Sequence, residues 1–157
     1  MDAYQKRLLG HAMYVLVIGL LAGFMLAFSL IGGLEILPTI FVDIAVFGTT
    51  EGWVRAHAGG IMNAVMMIAF AFALPQCGLA GGRAALYSKG IIFAGWANTV
   101  FYWFGNASGS RALSFTDNVL GGSNIFGVIG YSVAVIAAFI TLFIAAHMGR
   151  SFFAKAG

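Results

Sequence analysis

Three histidines, one cysteine and five carboxylates are all that this chain offers to conventional catalysis. His57 stands apart because of its neighbours, Ala56, Ala58, Gly59 and Gly60. Small residues around an imidazole let a flat, bulky group reach the helix backbone, and a neutral imidazole is a common metal and haem ligand. Small residues also serve plain helix packing, and a histidine on an apolar helix is ordinarily a hydrogen-bonded packing group. Both readings stand at this point. Trp53 lies one turn earlier, and Glu51 and Arg55 are four apart, so they can pair on one helix face. Arg55 is alternatively placed to hold an anionic group of a cofactor. Gly59 and Asn63 share a face, whereas His57 and Asn63 are about 240° apart around a helix. Those two either flank a groove or serve two neighbouring subunits. Gly95, Asn98 and Tyr102 are spaced i, i+3 and i+7, which puts an amide and a phenol on one face. Tyr102 and Trp103 could equally belong to an aromatic belt at the membrane surface. His11 and His147 sit near helix ends at similar depth, so a haem held by that pair is the alternative to His57. The single Cys77 excludes an internal disulfide and a cysteine metal cage. There is no phosphate-binding glycine loop, no Ser/His/Asp arrangement and no acidic pair within a helix. Carboxylate acid–base chemistry and a proton relay are therefore not expected.

Hydrophobic types make up 61% of the 157 residues and charged types 8%, with a mean hydropathy of +0.96. Too few ionic groups exist to cover a soluble domain, and the chain is too apolar to be disordered. The expectation is an all-α integral membrane protein in one domain over residues 1–157. Runs of about 20 apolar residues cross the hydrocarbon, and four such runs predict a transmembrane bundle with helices at about 13–31, 53–74, 86–105 and 125–148. Pro75 ends the second, and Lys89 can snorkel from the first turn of the third. The net charge of +3 is too sparse for a nucleic-acid surface. It suits orientation in a bilayer instead. Lys6, Arg7, Arg83, Lys89, Arg150 and Lys155 fall on one side of an even number of spans, which predicts that both termini are cytoplasmic. Lys6-Arg7 before an apolar run looks superficially like a signal peptide, but the run is too long and three more spans follow. The two loops on the other side, 32–50 and 105–123, are longer than ordinary helix connections. The first is apolar but broken by Gly32-Gly33 and Pro38, so it is expected to lie at the interface or dip back into protein. Together they are either plain loops or a roof over the outer ends of helices two and three.

Several blocks then resemble one family. Thr50-Glu51-Gly52-Trp53-Val54-Arg55-Ala56-His57, followed by Asn63 and the run Met66 to Pro75, is similar to bacterial styrene oxide isomerases. So are Gly32 to Pro38, Gly95-Trp96-Ala97-Asn98 leading to Phe101-Tyr102, Arg111 to Phe115, Asn124-Ile125-Phe126 and the opening Gly10-His11. The resemblance implies a small four-helix enzyme of the bacterial inner (cytoplasmic) membrane. It implies a homotrimer with haem b between neighbouring subunits, and conversion of an aryl epoxide to an aldehyde by Meinwald rearrangement. His57 is then the axial ligand of ferric haem, with Trp53, Arg55 and Gly60 around the cofactor. Asn63 and Tyr102 line the substrate side, and Asn98 supports them. An epoxide-producing monooxygenase is the implied partner. Ala94 departs from the resemblance, standing where an acidic residue precedes the Gly-Trp pair in the family. The other function classes are a non-enzymatic membrane haem protein for electron transfer and a cofactor-free transporter or structural subunit. The lack of buried charges and of inverted repeats argues against the transporter.

Overall fold

The computed structural model describes residues 1–79 and 81–156. Four long helices, α1 (Ala3–Ile31), α2 (Thr50–Ala73), α3 (Gly81–Asn106) and α4 (Ile125–Ala156), carry the chain. Two short strands, β1 (Gly33–Leu37) and β2 (Ile40–Asp43), join α1 to α2, and a 3₁₀ turn over Leu74–Cys77, which contains Pro75, follows the end of α2 at Ala73. Three helical stretches, Ala3–Ile31, Thr50–Cys77 and Ile125–Ala154, are long and apolar enough to cross a membrane. α3 has 26 residues but is more polar, because Ser88, Lys89, Asn98 and Thr99 interrupt it. It packs between α2 and α4, with α1 also against it. Ser88 and Thr99 are buried: Ser88 donates to the Tyr4 carbonyl at 3.1 Å, and Thr99 to the Gly95 carbonyl at 2.8 Å, while Lys89 is exposed.

The helices run past their apolar stretches. α1 starts at Ala3, ten residues before the expected Met13, because polar residues at a membrane surface can be helical without being hydrophobic. The Gln5 side chain accepts from the Asp2 backbone at 2.9 Å and donates to the Ala71 carbonyl at 3.0 Å. The first bond satisfies a free N–H of the helix start, and the second ties α1 to the end of α2. α2 starts at Thr50 because Thr49 caps it, accepting from the Gly52 N–H at 3.0 Å.

Glycine sets the closeness of α1 and α2. A Cβ on Gly60 would stand 2.6 Å from the Gly19 Cα, and one on Gly19 would stand 2.9 Å from the Gly60 backbone. Small residues at such a crossing let two backbones meet where larger ones would separate them. Gly60→Val is therefore expected to destabilise the chain by about 1–3 kcal/mol through overpacking, read as an earlier thermal midpoint in detergent.

α2 and α3 are antiparallel and meet turn by turn. A Cβ on Gly95 would strike the Met67 sulfur, Asn98 bonds Asn63, the Tyr102 ring lies on Gly59, and the Asn106 amide lies on Gly52. Each glycine sits opposite a large group, so one face of α2 receives the amides and phenol of α3.

The loop between α1 and α2 has regular structure. It is a β-hairpin in which Gly33 pairs with Asp43 and Leu37 with Ile40. Pro38 and Thr39 make the turn, with Thr39 at φ 82°, which fits a proline-led turn that needs a positive φ at its third residue. β-branched and aromatic residues (Ile36, Ile40, Phe41, Val42) favour the extended form, and the apolar content alone did not distinguish it from a buried loop. The second loop is held by its own polar groups. Asn118 donates to the Ser110 carbonyl at 3.0 Å and to the Ser114 hydroxyl at 2.8 Å, and Arg111 and Ala112 both adopt positive φ, 56° and 55°. The Asn106 Oδ1 accepts from the Thr49 N–H at 2.9 Å, which fastens the end of α3 to the start of α2.

Candidate active site

His57 leaves α2 towards α1. Its Nδ1 lies 2.9 Å from the Gly19 carbonyl oxygen. A carbonyl can only accept, so Nδ1 carries the proton and Nε2 keeps its lone pair. Ligand histidines are commonly fixed in this way by a carbonyl behind the ring. The ring fits because Gly23, one turn from Gly19, has no side chain: a Cβ there would be 2.8 Å from Nδ1 and Cε1. His57 is half-buried, so Nε2 is not sealed inside the bundle. The result is an imidazole of fixed tautomer and orientation with one free nitrogen.

Asn63, Asn98 and Tyr102 gather on the other seam of α2, against α3. Asn98 Nδ2 donates to Asn63 Oδ1 at 3.2 Å. Asn63 is buried, and its own Nδ2 has no partner. A buried donor left unmade costs about 1–3 kcal/mol, so this amide is an unsatisfied donor in the α2–α3 seam. The Tyr102 ring rests on Gly59 and lies 5.2 Å from the Phe101 ring centroid. Tyr102 and Arg55 line one cavity of 130 Å³ together with Phe101, Gly105, Arg111 and Leu113. Two guanidinium groups thus border the space beside the phenol.

Trp53 and Gly60 are used in packing. Trp53 is fully buried, donates Nε1–H to the Phe47 carbonyl at 2.8 Å and stacks edge-on with Trp103 at 5.0 Å. Gly60 is covered by Gly19. Neither has free surface within the chain, and both hold the stretch of α2 that carries His57.

His11 and His147 have separate surroundings. Trp96 Nε1 donates to His11 Nδ1 at 3.1 Å, while the His147 ring packs against Tyr87 and Phe143. Among the described residues no group of three His, Cys, Asp or Glu converges as a metal cage. His57 is the imidazole whose second nitrogen is fixed by a backbone carbonyl. One such imidazole can serve a group that needs a single protein ligand and brings its remaining ligands with it, as a porphyrin does.

The chain matches the family model for styrene oxide isomerase over residues 4–153. The chain belongs to the styrene oxide isomerase family. It is also 38% identical to the styrene-oxide isomerase of Pseudomonas fluorescens over 136 residues, which cover 87% of this chain and 80% of that protein. Membership covers all the residues just described. It also reframes Ala94, which is fully buried against Ala97 and Ala137 in the α3–α4 seam. Ala94 is also one turn before Asn98 on the same side of α3, so the departure borders the Asn98–Tyr102 face.

Three contributors were not singled out from sequence. Gly19 and Gly23 act through what they lack, and their spacing of four on an apolar helix was the available signal. Arg111 lies in a polar loop, and only its left-handed backbone and the shared cavity connect it with Arg55 and Tyr102.

Proposed function

We propose that this chain is an epoxide isomerase that converts an aryl epoxide of the styrene oxide kind to the corresponding aldehyde, with ferric haem b ligated by His57. The observation that carries this is the His57 imidazole, fixed by Gly19 with Nε2 free, in a chain of this family. Ferric haem, when bound, supplies a Lewis acid that draws on the epoxide oxygen. In the reaction the benzylic C–O bond opens, a hydride moves from the neighbouring carbon to the benzylic carbon, and the carbonyl forms. Atoms and electrons balance within the substrate, so no reductant is needed.

The protein's own groups orient and protect. The Asn63 amide, held by Asn98, offers its unused N–H to an acceptor oxygen. The Tyr102 hydroxyl can donate to the same oxygen. Phe101 and the Tyr102 ring face provide negative π surface for positive charge at the benzylic carbon. Apolar walls keep water away, and diol formation is thereby suppressed. Arg55 and Arg111 are suited to the carboxylates of a haem propionate edge.

His57 leans from α2 on α1, whereas Asn63 turns from α2 to α3, which carries Asn98 and Tyr102. In our reading a complete site therefore draws its imidazole from one copy and its phenol from a neighbour, in a homotrimer of the bacterial inner membrane with both termini cytoplasmic. Chains carrying His57→Ala and chains carrying Tyr102→Phe, co-expressed, should then recover activity that neither has alone. No recovery in mixed oligomers would place the whole site within one chain.

The direct assay is conversion of styrene oxide to phenylacetaldehyde without added reductant. Tyr102→Phe is expected to lower kcat by about 10²-fold, the usual effect of losing one positioned donor, while the haem spectrum is unchanged. Unaltered kcat in that variant would remove Tyr102 from the chemistry. A six-coordinate haem that cycles reversibly and turns over no epoxide would favour the electron-transfer alternative.

A further inference from the structure

A second cavity, of 610 Å³, opens where the start of α2, the end of α3 and the start of α4 meet. Four aromatic side chains, Phe47, Trp103, Phe104 and Phe126, line it, and Ala107 lines it too. Asn106 borders it and is 8% exposed. The Asn106 Oδ1 is committed to the Thr49 N–H at 2.9 Å, so the amide cannot be turned over, and its Nδ2 has no acceptor. An aromatic-walled space with one unused buried donor calls for a flat apolar molecule bearing one acceptor oxygen. Trp103 stacks edge-on against Trp53, one turn before His57, so the cavity backs onto the stretch of α2 that carries the imidazole.

We propose that this cavity is a holding site, separate from the reaction site, for an arene carrying a single acceptor oxygen, which Asn106 Nδ2 recognises. Both the epoxide substrate and the aldehyde product of the proposed reaction have that chemistry, and naming them as ligands rests on that proposal. The binding step itself does not.

The probe is 4′-fluoroacetophenone, followed by ¹⁹F NMR against the full-length protein in nanodiscs. Saturable binding is expected, and 1-ethyl-4-fluorobenzene, which lacks the oxygen, should bind about tenfold more weakly. Ala107→Phe adds a ring at the cavity wall while its backbone bonds to Phe104 and Asn124 remain, and saturable binding should weaken at least tenfold. Phe126→Ala opens the α4 wall and should weaken binding about threefold, which keeps the test available if the first variant does not fold. Equal binding of the two probes, or simple partition without saturation, would overturn the site whatever the enzyme's activity. In turnover, Ala107→Phe raises KM at constant kcat if the held ligand is substrate. It relieves product inhibition at constant KM if the held ligand is aldehyde. Neither change, with binding weakened, would remove the ligands from the reaction while leaving the cavity a binding site.

Discussion

His57→Ala is expected to yield protein that neither retains haem nor isomerises styrene oxide. With a Lewis acid worth several kcal/mol and each 1.36 kcal/mol worth tenfold in rate, activity should fall by about 10³-fold or more. Fold should survive, because the imidazole makes one hydrogen bond and the α1–α2 crossing is held by Gly19 and Gly60 beside it. His147→Ala should keep both haem and activity, since that ring is taken up in packing against Tyr87 and Phe143. Pyridine haemochrome analysis of the two purified variants, with an aldehyde assay, checks the pair. Haem-replete His57→Ala with full turnover would transfer the ligand role elsewhere.

Gly23→Leu should weaken haem binding while leaving the ligand residue itself unchanged. Even the first carbon of a side chain there comes within 2.8 Å of His57 Nδ1 and Cε1. The ring must turn away, and the Nδ1–H bond to Gly19 breaks. Loss of such a supporting bond typically costs about 10–100-fold in metal affinity, so haem titration should show a shift of that size. Gly10→Leu is the control on the same helix, because nothing lies within 4 Å of a Cβ there. Similar haem affinity for both variants would mean that the orientation of His57 does not matter to the cofactor.

The sequence made the helices legible because uncharged runs of spanning length have few other uses. It made the α2–α3 face legible because Asn98 and Tyr102 repeat at helical spacing, and they do meet Asn63 and Gly59. The different placement of His57 and Asn63 around α2 also followed from angular arithmetic alone. The hairpin was not legible. Its apolar residues suit a strand and a membrane-surface loop equally, and pairing between Gly33 and Asp43 depends on the whole register. Polar helix ends were missed because hydropathy reports the membrane, whereas capping and Gln5 bonding set the helix. Gly19 and Gly23 were missed for a different reason. Their role is to leave room for a side chain from another helix, and only the packing of α1 on α2 reveals whose.

The absorption spectrum of protein purified after haem-replete expression, recorded without reductant and then with an arylalkylamine, tests the ligation at His57 most directly. A ferric Soret band that shifts on adding the amine is expected if His57 is the single protein ligand of the proposed haem. A colourless protein that still makes aldehyde, or a band that the amine does not move, would contradict it.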